Sequence, residues 1–166
     1  TNTLAAVRVA KLLGLDMEQM TRGIASVVPI AGRNRIIQEG NFTLIDDCYN
    51  ANPVSMKAAL DLLSLADTRK VAILGDMFEL GENSDMLHSG VGCYAKGKTD
   101  LLICIGENAK HIYDGAKEAG VAHIYHFTDK ESFLREKENL LQAGDTILLK
   151  ASHGMAFETL ISPLLQ

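Results

Sequence analysis

The sequence predicts an α/β fold, in which helices flank a mostly parallel sheet that carries one antiparallel hairpin strand. Two observations support this prediction. From residue 42 onward, short apolar segments alternate with segments of helical periodicity, as in chains built from strand–helix–strand units. Most of the apolar segments are continuous rather than interrupted by polar residues, which is typical of strands covered by helices on both faces. The predicted architecture is Rossmann-like.

Composition limits the classes of function. With 166 residues, 47% of them hydrophobic, the chain can form one domain with its own core and an attached fragment of another. A net charge of -5 argues against a nucleic-acid partner, because such surfaces are usually basic. The three cysteines have no CxxC spacing and indicate reduced thiols in a cytosolic protein. No apolar run approaches the roughly 18 residues of a membrane span.

The first 27 residues predict two short helices. Gly14 ends the apolar stripe of the first, and Asp16 is suited to cap the second. Residues 28–32 contain Pro and Gly, which interrupt regular structure and predict a linker. We therefore expect a domain boundary between residues 1–29 and residues 30–166, and the missing initiator Met indicates a fragment of a longer chain.

The remaining elements follow from apolar runs and turn residues. A hairpin is expected around residues 39–41. The predicted strands are 35–38, 42–45, 71–74, 101–105, 124–127 and 146–149. The predicted helices are 53–66, 84–96, 108–119, 129–142 and 156–165.

Polar loops follow four of the predicted strands. The richest places two carboxylates, a phenol and two amides in residues 46–53, and the others are residues 75–81, 106–108 and 150–155. The carboxyl ends of parallel strands meet at one edge of a sheet, where open α/β folds bind ligands. We therefore expect the four loops to converge on one ligand.

Local structure offers a competing interpretation for some of these residues. Asn52 followed by Pro53 is a favourable helix start, which leaves ligand contact open. Asp47 suits ribose hydroxyls or a cationic group, and a solvated strand-end carboxylate explains it equally well. Asp76 and Glu79 fit turn chemistry as well as ligand binding.

Several catalytic classes find no support. His123 and His126 would face opposite sides of a strand, so no metal site is expected. No GxGxxG opens a helix and no GxxxxGK[ST] occurs, so the chain has no phosphate cradle of its own. A triad of Ser152, His153 and Asp76 is disfavoured because adjacent Ser and His rarely reach the required geometry. We expect no catalytic residue within this chain.

Taken together, the motifs resemble the C-terminal domain of the Mur ligase family. They are Gly32-Arg33, residues 46–53 with Ser55-Met56, Gly75-Asp76-Met77 with Glu79-Leu80-Gly81, His88, and residues 150–155. They occur in the family's order over about residues 32–157. The Tyr-Asn-Ala-Asn-Pro and Gly-Asp-Met-x-Glu-Leu-Gly strings are similar to those of the branch that adds D-alanyl-D-alanine.

This resemblance implies a reaction and a division of labour. ATP phosphorylates the carboxylate of a UDP-N-acetylmuramoyl-tripeptide, and the amine of D-alanyl-D-alanine attacks the acyl phosphate. The P-loop and the Mg²⁺ ligands sit in an upstream central ATPase domain, whose closing helices residues 1–29 resemble. The C-terminal domain closes over that site, so this chain alone is expected to be inactive. The family is bacterial and cytoplasmic, and acts in peptidoglycan precursor synthesis.

Site residues carried over from the resemblance fall into two groups. Those expected to bind the nucleotide are Arg33, Asp47, Tyr49 and Asn50. Those expected to bind substrate are Asn52, Asp76, Glu79, His88, Lys150, Ser152 and His153. No metal ligand is expected. A structural role remains the alternative for His88, since a lone histidine on a helix is more often structural than catalytic.

One departure from the family leaves alternatives open. The last loop reads Lys150-Ala151-Ser152-His153, where the family usually has Lys-Gly-Ser-Arg. Histidine lacks the bidentate fork that arginine offers a carboxylate, so affinity for the dipeptide could be weaker or pH-dependent. The alternatives are a related Mur or folylpolyglutamate-type ligase with another amino substrate, and a stand-alone Rossmann-like binding module.

Overall fold

A computed structural model describes residues 2–27 and 31–166. Its centre is a six-stranded sheet with the strand order β1-β2-β6-β3-β4-β5. The strands are β1 (Arg35–Glu39), β2 (Phe42–Asp46), β3 (Lys70–Gly75), β4 (Leu101–Ile105), β5 (Ile124–Phe127) and β6 (Thr146–Lys150). Only β1 runs antiparallel, paired with β2, and all other pairs are parallel. The predicted fold class, including the hairpin strand, is confirmed.

Seven α-helices accompany the sheet in the described part of the chain. They are α1 (Asn2–Leu12), α2 (Met17–Ala25), α3 (Pro53–Leu63), α4 (Ser84–Tyr94), α5 (Ala109–Ala119), α6 (Lys130–Leu140) and α7 (Ile161–Leu165). The single helix predicted over 156–165 is wrong in detail. A 3₁₀ turn over Phe157–Leu160 precedes α7, and it starts after Ala156, which has a left-handed backbone with φ of 48°. A residue in the left-handed conformation cannot be part of a right-handed α-helix, so the helix cannot begin at residue 156 as predicted.

Side-chain alternation along the strands builds two cores. On one face, residues such as Ala72 and Leu74 pack with helices α3, α4 and α5. On the other face, Val71 and Ile73 pack with α6, α7 and the 3₁₀ turn. Helix α6 contributes the buried side chain of Phe133 to this core. The continuous apolar strands are therefore covered on both sides, as expected of a parallel sheet.

Helices α1 and α2 precede the first strand of the sheet in the chain. Asp16 caps α2 as predicted, because its carboxylate accepts the N–H of Gln19 at 2.7 Å while the Gln19 side chain accepts the N–H of Asp16 at 3.0 Å. Most of the linker predicted at residues 28–32 lies outside the described residues, so the domain boundary stays a prediction. None of the helices in the described ranges is long and apolar enough to cross a membrane.

Candidate functional site

The loops that follow the parallel strands meet at one edge of the sheet, here called the C-terminal rim (residues 46–53, 75–81, 106–108 and 150–155). Its parts are joined by backbone hydrogen bonds. The N–H of Asp47 donates to the carbonyl of Leu149, and the N–H of Ser152 donates to the carbonyl of Asp76, both at 3.0 Å. The strands β2, β6 and β3 are neighbours in the sheet, so their loops form one continuous surface.

A cleft of about 520 Å³ opens between the loop before β1 and the loop after β2. The Arg33 cleft, as it is called below, is lined by Arg33, Asp47, Tyr49, Asn50, Asn52 and Lys150. All four residues predicted to bind a nucleotide therefore line one cleft. Asn52 and Lys150, which were predicted to bind substrate rather than the nucleotide, also line this cleft.

Asp46 holds together the two chain segments that form the entrance to this cleft. Its buried carboxylate accepts the N–H of Gly32 at 2.8 Å and the N–H of Cys48 at 3.4 Å. Gly32 has a left-handed backbone, and a Cβ there would lie 3.0 Å from the backbone nitrogen of Tyr49. The two segments that carry Arg33 and Tyr49 are thus held in close contact. Asp46 is one of the two carboxylates noted in residues 46–53, and sequence reasoning assigned it no role, although an Asp side chain commonly accepts the N–H two residues on in a turn.

Three side chains stack across the rim. The Arg33 guanidinium lies 4.1 Å from the centre of the Tyr49 ring, a distance suited to a cation–π contact. On the last loop, the His153 ring centre lies 5.7 Å from that of Tyr49, with the planes tilted by 35°. Tyr49 remains 48% exposed, so its ring can still contact a ligand.

Lys150 is enclosed beneath the cleft. Its Nζ contacts Asp47 Oδ2 at 2.5 Å, the carbonyl of Asn50 at 3.0 Å and the carbonyl of Asp47 at 3.4 Å. Exposure is 2% for the Lys150 side chain and 14% for the Asp47 side chain. The other oxygen of Asp47 accepts the N–H of Asn34 at 3.3 Å. Asn34 also lines the cleft, and sequence reasoning missed it although it follows Arg33 directly.

Asp76 faces helix α5 rather than the cleft. Its Oδ1 accepts the N–H of Ala109 at 2.7 Å, in the first turn of that helix, where a negative charge is favourable. Gly106 lies against it, with φ of 124° and room only for hydrogen, since a Cβ would be 2.4 Å from Oδ1. Asp76 is 5% exposed, and in this structure it ties β3 to the helix that follows β4.

His88 and Ser152 hold the loop after β3. The Nε2 of His88 accepts the N–H of Met77 at 2.9 Å, and its Nδ1 lies 2.8 Å from the carbonyl of Ser84. These contacts occupy both ring nitrogens of a fully buried side chain. The Ser152 hydroxyl accepts the N–H of Phe78 at 2.8 Å. These side chains therefore determine the shape of the loop from within.

Glu79 and His153 are exposed on the rim. Glu79 has φ of 61°, a left-handed conformation that non-glycine residues seldom adopt. Asn52 caps α3 as expected, because its Oδ1 accepts the N–H of Ser55 at 2.9 Å. Capping uses the oxygen of the Asn52 amide, and the residue also lines the cleft.

Thiol and metal chemistry find little support here. Burial, followed by the nearby Asp46 carboxylate, raises the pKa of the Cys48 thiol well above its usual range, which keeps it protonated and unreactive. Among residues 2–27 and 31–166, no three His, Cys, Asp or Glu side chains are grouped as they would be around a metal ion.

Known proteins are similar to this chain in sequence and in fold. A sequence model described as the glutamate ligase domain of Mur ligases matches residues 32–153. This chain belongs to the Mur ligase family. The match runs from the entrance of the Arg33 cleft to the last loop of the C-terminal rim, and it confirms the resemblance identified from the motifs.

Relatives within the Mur ligase family are similar along almost the whole chain. UDP-N-acetylmuramoyl-tripeptide–D-alanyl-D-alanine ligases from Bacillus subtilis and Synechocystis are 31% and 36% identical, each over 99% of this chain. The crystal structure of MurF from Acinetobacter baumannii superimposes with a TM-score of 0.88 at 31% identity, over 99% of this chain and 36% of that one. This chain spans about 37% of the length of the two curated relatives.

Other members of the Mur ligase fold are more distant. Folylpolyglutamate synthase from Thermotoga maritima has a TM-score of 0.56 at 14% identity. That similarity shows a shared fold only.

Proposed function

We propose that this chain is the cleft-closing C-terminal domain of an ATP-dependent ligase that adds D-alanyl-D-alanine to a UDP-N-acetylmuramoyl-tripeptide. The observation that carries the proposal is the convergence of Arg33, Asp47, Tyr49 and Asn50 on one cleft, in a chain whose relatives of that name are similar to it over 99% of its length. The partner is the central ATPase domain, which would supply the phosphate cradle and the Mg²⁺ site. The proposed location is the bacterial cytoplasm, and the pathway is peptidoglycan precursor synthesis.

The nucleotide side of the proposal follows from the charges on the cleft. Arg33 places an exposed guanidinium beside the opening, where it can offset the negative charge of phosphates. Asp47 uses one oxygen on Lys150 and the other on the N–H of Asn34. A carboxylate has about four acceptor sites, so Asp47 can still accept hydrogen bonds from ribose hydroxyls. Tyr49 and Asn50 would complete the wall.

The amino-substrate side involves the other loops of the rim. We propose that the exposed Glu79, His153 and Asn52 face the dipeptide, while Asp76, His88 and Ser152 hold the loops that carry them. The physical task is to orient an amine beside an acyl phosphate, which is a proximity effect. Closure of the rim would exclude the water that could hydrolyse that phosphate.

The direct test is an assay of the full-length protein. We expect ATP-dependent amide formation with D-alanyl-D-alanine, measured by phosphate release and by mass spectrometry of the peptide product. Arg33→Ala should raise the KM for ATP, because it removes the exposed cation of the cleft. Arg135→Ala is the matched control, since Arg135 is also exposed but lies on helix α6, which does not line the cleft.

Other outcomes would identify the alternatives. Turnover with glutamate or diaminopimelate instead of D-alanyl-D-alanine would indicate a related ligase. Nucleotide binding without any ligation by the full-length protein would favour a binding module and contradict the proposal.

A further inference from the structure

Lys150 is the most enclosed charged group of the C-terminal rim. All hydrogen bonds of its ammonium group are with the loop that follows β2. Its ammonium has three N–H donors. The structure supplies three acceptors, namely the Asp47 carboxylate and the carbonyls of Asp47 and Asn50. With its side chain 2% exposed, Lys150 has no donor left for a ligand in the cleft.

The three acceptors lie at the two ends of a short segment. Residues 47–50 contain three of the side chains assigned to the nucleotide, Asp47, Tyr49 and Asn50. Lys150 binds the first and the last of these residues, so it fastens both ends of the segment from below. From the opposite side, the N–H of Tyr49 donates to the carbonyl of Gly32 at 2.9 Å.

Sheet register explains why a lysine from the distant end of the chain reaches this loop. Asp46 in β2 is opposite Leu149 in β6, so the next residues along the two parallel strands, Asp47 and Lys150, are neighbours at the rim. A carboxylate in the cleft would otherwise choose among several rotamers. The enclosed ammonium selects the rotamer that points to Lys150, and the carboxylate keeps acceptor capacity beyond its hydrogen bonds to Lys150 and to the N–H of Asn34.

We propose that Lys150 is a positioning residue for the nucleotide cleft, which acts through Asp47 and the Asn50 carbonyl, and not a residue that contacts the amino substrate. This inference rests on the proposed function, because it assigns the Arg33 cleft to the nucleotide. It differs from the expectation carried over from the family resemblance, which placed Lys150 beside the dipeptide.

A double-mutant cycle in the full-length ligase tests the proposal. Lys150→Met should raise the KM for ATP by roughly tenfold, the loss typical of one hydrogen bond to a charged group. The KM for D-alanyl-D-alanine should stay within about twofold, and Lys150→Met should add little to Asp47→Asn, since coupled residues are not additive. Lys98→Met is the matched control. Lys98 also forms an ion pair, with Asp61 at an N–O distance of 2.6 Å, but this pair does not belong to the C-terminal rim.

The alternatives predict different readouts. A direct substrate contact would raise the KM for D-alanyl-D-alanine and would combine additively with Asp47→Asn. A merely structural role would lower the melting temperature and leave both KM values unchanged in the folded enzyme. Either result overturns the proposal.

A second variant covers a failure of Lys150→Met to fold. Lys150→Arg keeps the charge, and it should raise the KM for ATP by about threefold, because a planar fork matches the three acceptors only in part. An unchanged KM for ATP in Lys150→Arg would contradict the proposal. If the wild-type enzyme shows no ATP-dependent ligation, the proposed function fails, and that outcome is separate from any difference among variants.

Discussion

The two ends of the parallel strands differ in what they enclose. At the N-terminal rim, where β3, β4 and β5 begin, lies the larger cavity, about 820 Å³ compared with about 520 Å³ for the Arg33 cleft. Its walls come from the turns that follow α4, α5 and α6, where helix dipoles leave partial negative charge. Arg69, one of the cations that line it, already neutralises a partner, because it binds Asp145 at 2.9 Å and the carbonyl of Leu140. Size alone therefore does not decide which of the two cavities binds a ligand.

The same contrast appears in two ion pairs of similar length. Lys150–Asp47 and Lys98–Asp61 are separated by 2.5 and 2.6 Å, yet their side chains are 2% and 14% exposed in the first pair and 26% and 51% in the second. An exposed pair is screened by water and contributes little. An enclosed pair leaves an uncompensated charge when one partner is removed. Burial, rather than distance, distinguishes the pair that holds a loop in place from the pair that is solvated.

The largest expected effect comes from breaking the enclosed pair. Lys150→Met should lower the free energy of unfolding by about 3 kcal/mol, because the Asp47 carboxylate loses its counter-charge in a nearly closed site. Lys98→Met should change stability far less. Urea unfolding of both full-length variants checks this. Equal losses for the two variants would show that the difference in burial has no energetic consequence.

A second comparison uses one glycine at each rim. Gly106→Ala should destabilise by about 2 kcal/mol, because the added Cβ would displace the Asp76 carboxylate in a tightly packed site. Gly97 in the turn after α4 is also left-handed, with φ of 73°, but open space surrounds it. Gly97→Ala should therefore cost only about 1 kcal/mol of backbone strain. Thermal unfolding of both variants measures the difference, and a larger loss for Gly97→Ala would contradict it.

The smallest expected effect concerns acid stability at the N-terminal rim. The N–H of Lys70, followed by its ammonium group, lowers the pKa of Asp100. Because the pKa of Asp100 is lower in the folded state than in the unfolded state, its carboxylate stabilises the protein above about pH 4. That stabilisation is lost as the pH falls through the folded-state pKa. Because the Asp100 side chain is 47% exposed, the contribution is only a few tenths of a kcal/mol.

Asp100→Asn makes that contribution measurable. The variant should be slightly less stable than wild type at pH 7, and the two should converge near pH 2. Its KM for ATP should be unchanged, because Asp100 lies at the rim opposite the Arg33 cleft. A raised KM for ATP would show that the two rims are coupled and would weaken the comparison.

Local patterns in the sequence were sufficient for the architecture. Continuous apolar runs predicted most of the parallel strands, and residues 39–41 predicted the hairpin, because these features depend on neighbours along the chain. The caps at Asp16 and Asn52 were predictable for the same reason. So was the collection of polar loops at one rim, since parallel strands place their carboxyl ends together.

Roles that depend on distant contacts were beyond the sequence. Residue type alone does not show that Asp76 would cap α5, that both nitrogens of His88 would be occupied, or that Lys150 would bind residues 47–50. Each depends on which strands are neighbours and in which register, and the strand order places β6 between β2 and β3 although it comes last in the chain. The sequence by itself determined the elements and the chemistry available at their ends. Only the tertiary structure decided which of those groups face the cleft and which hold it in shape, because pairing between remote strands sets the distances between their side chains.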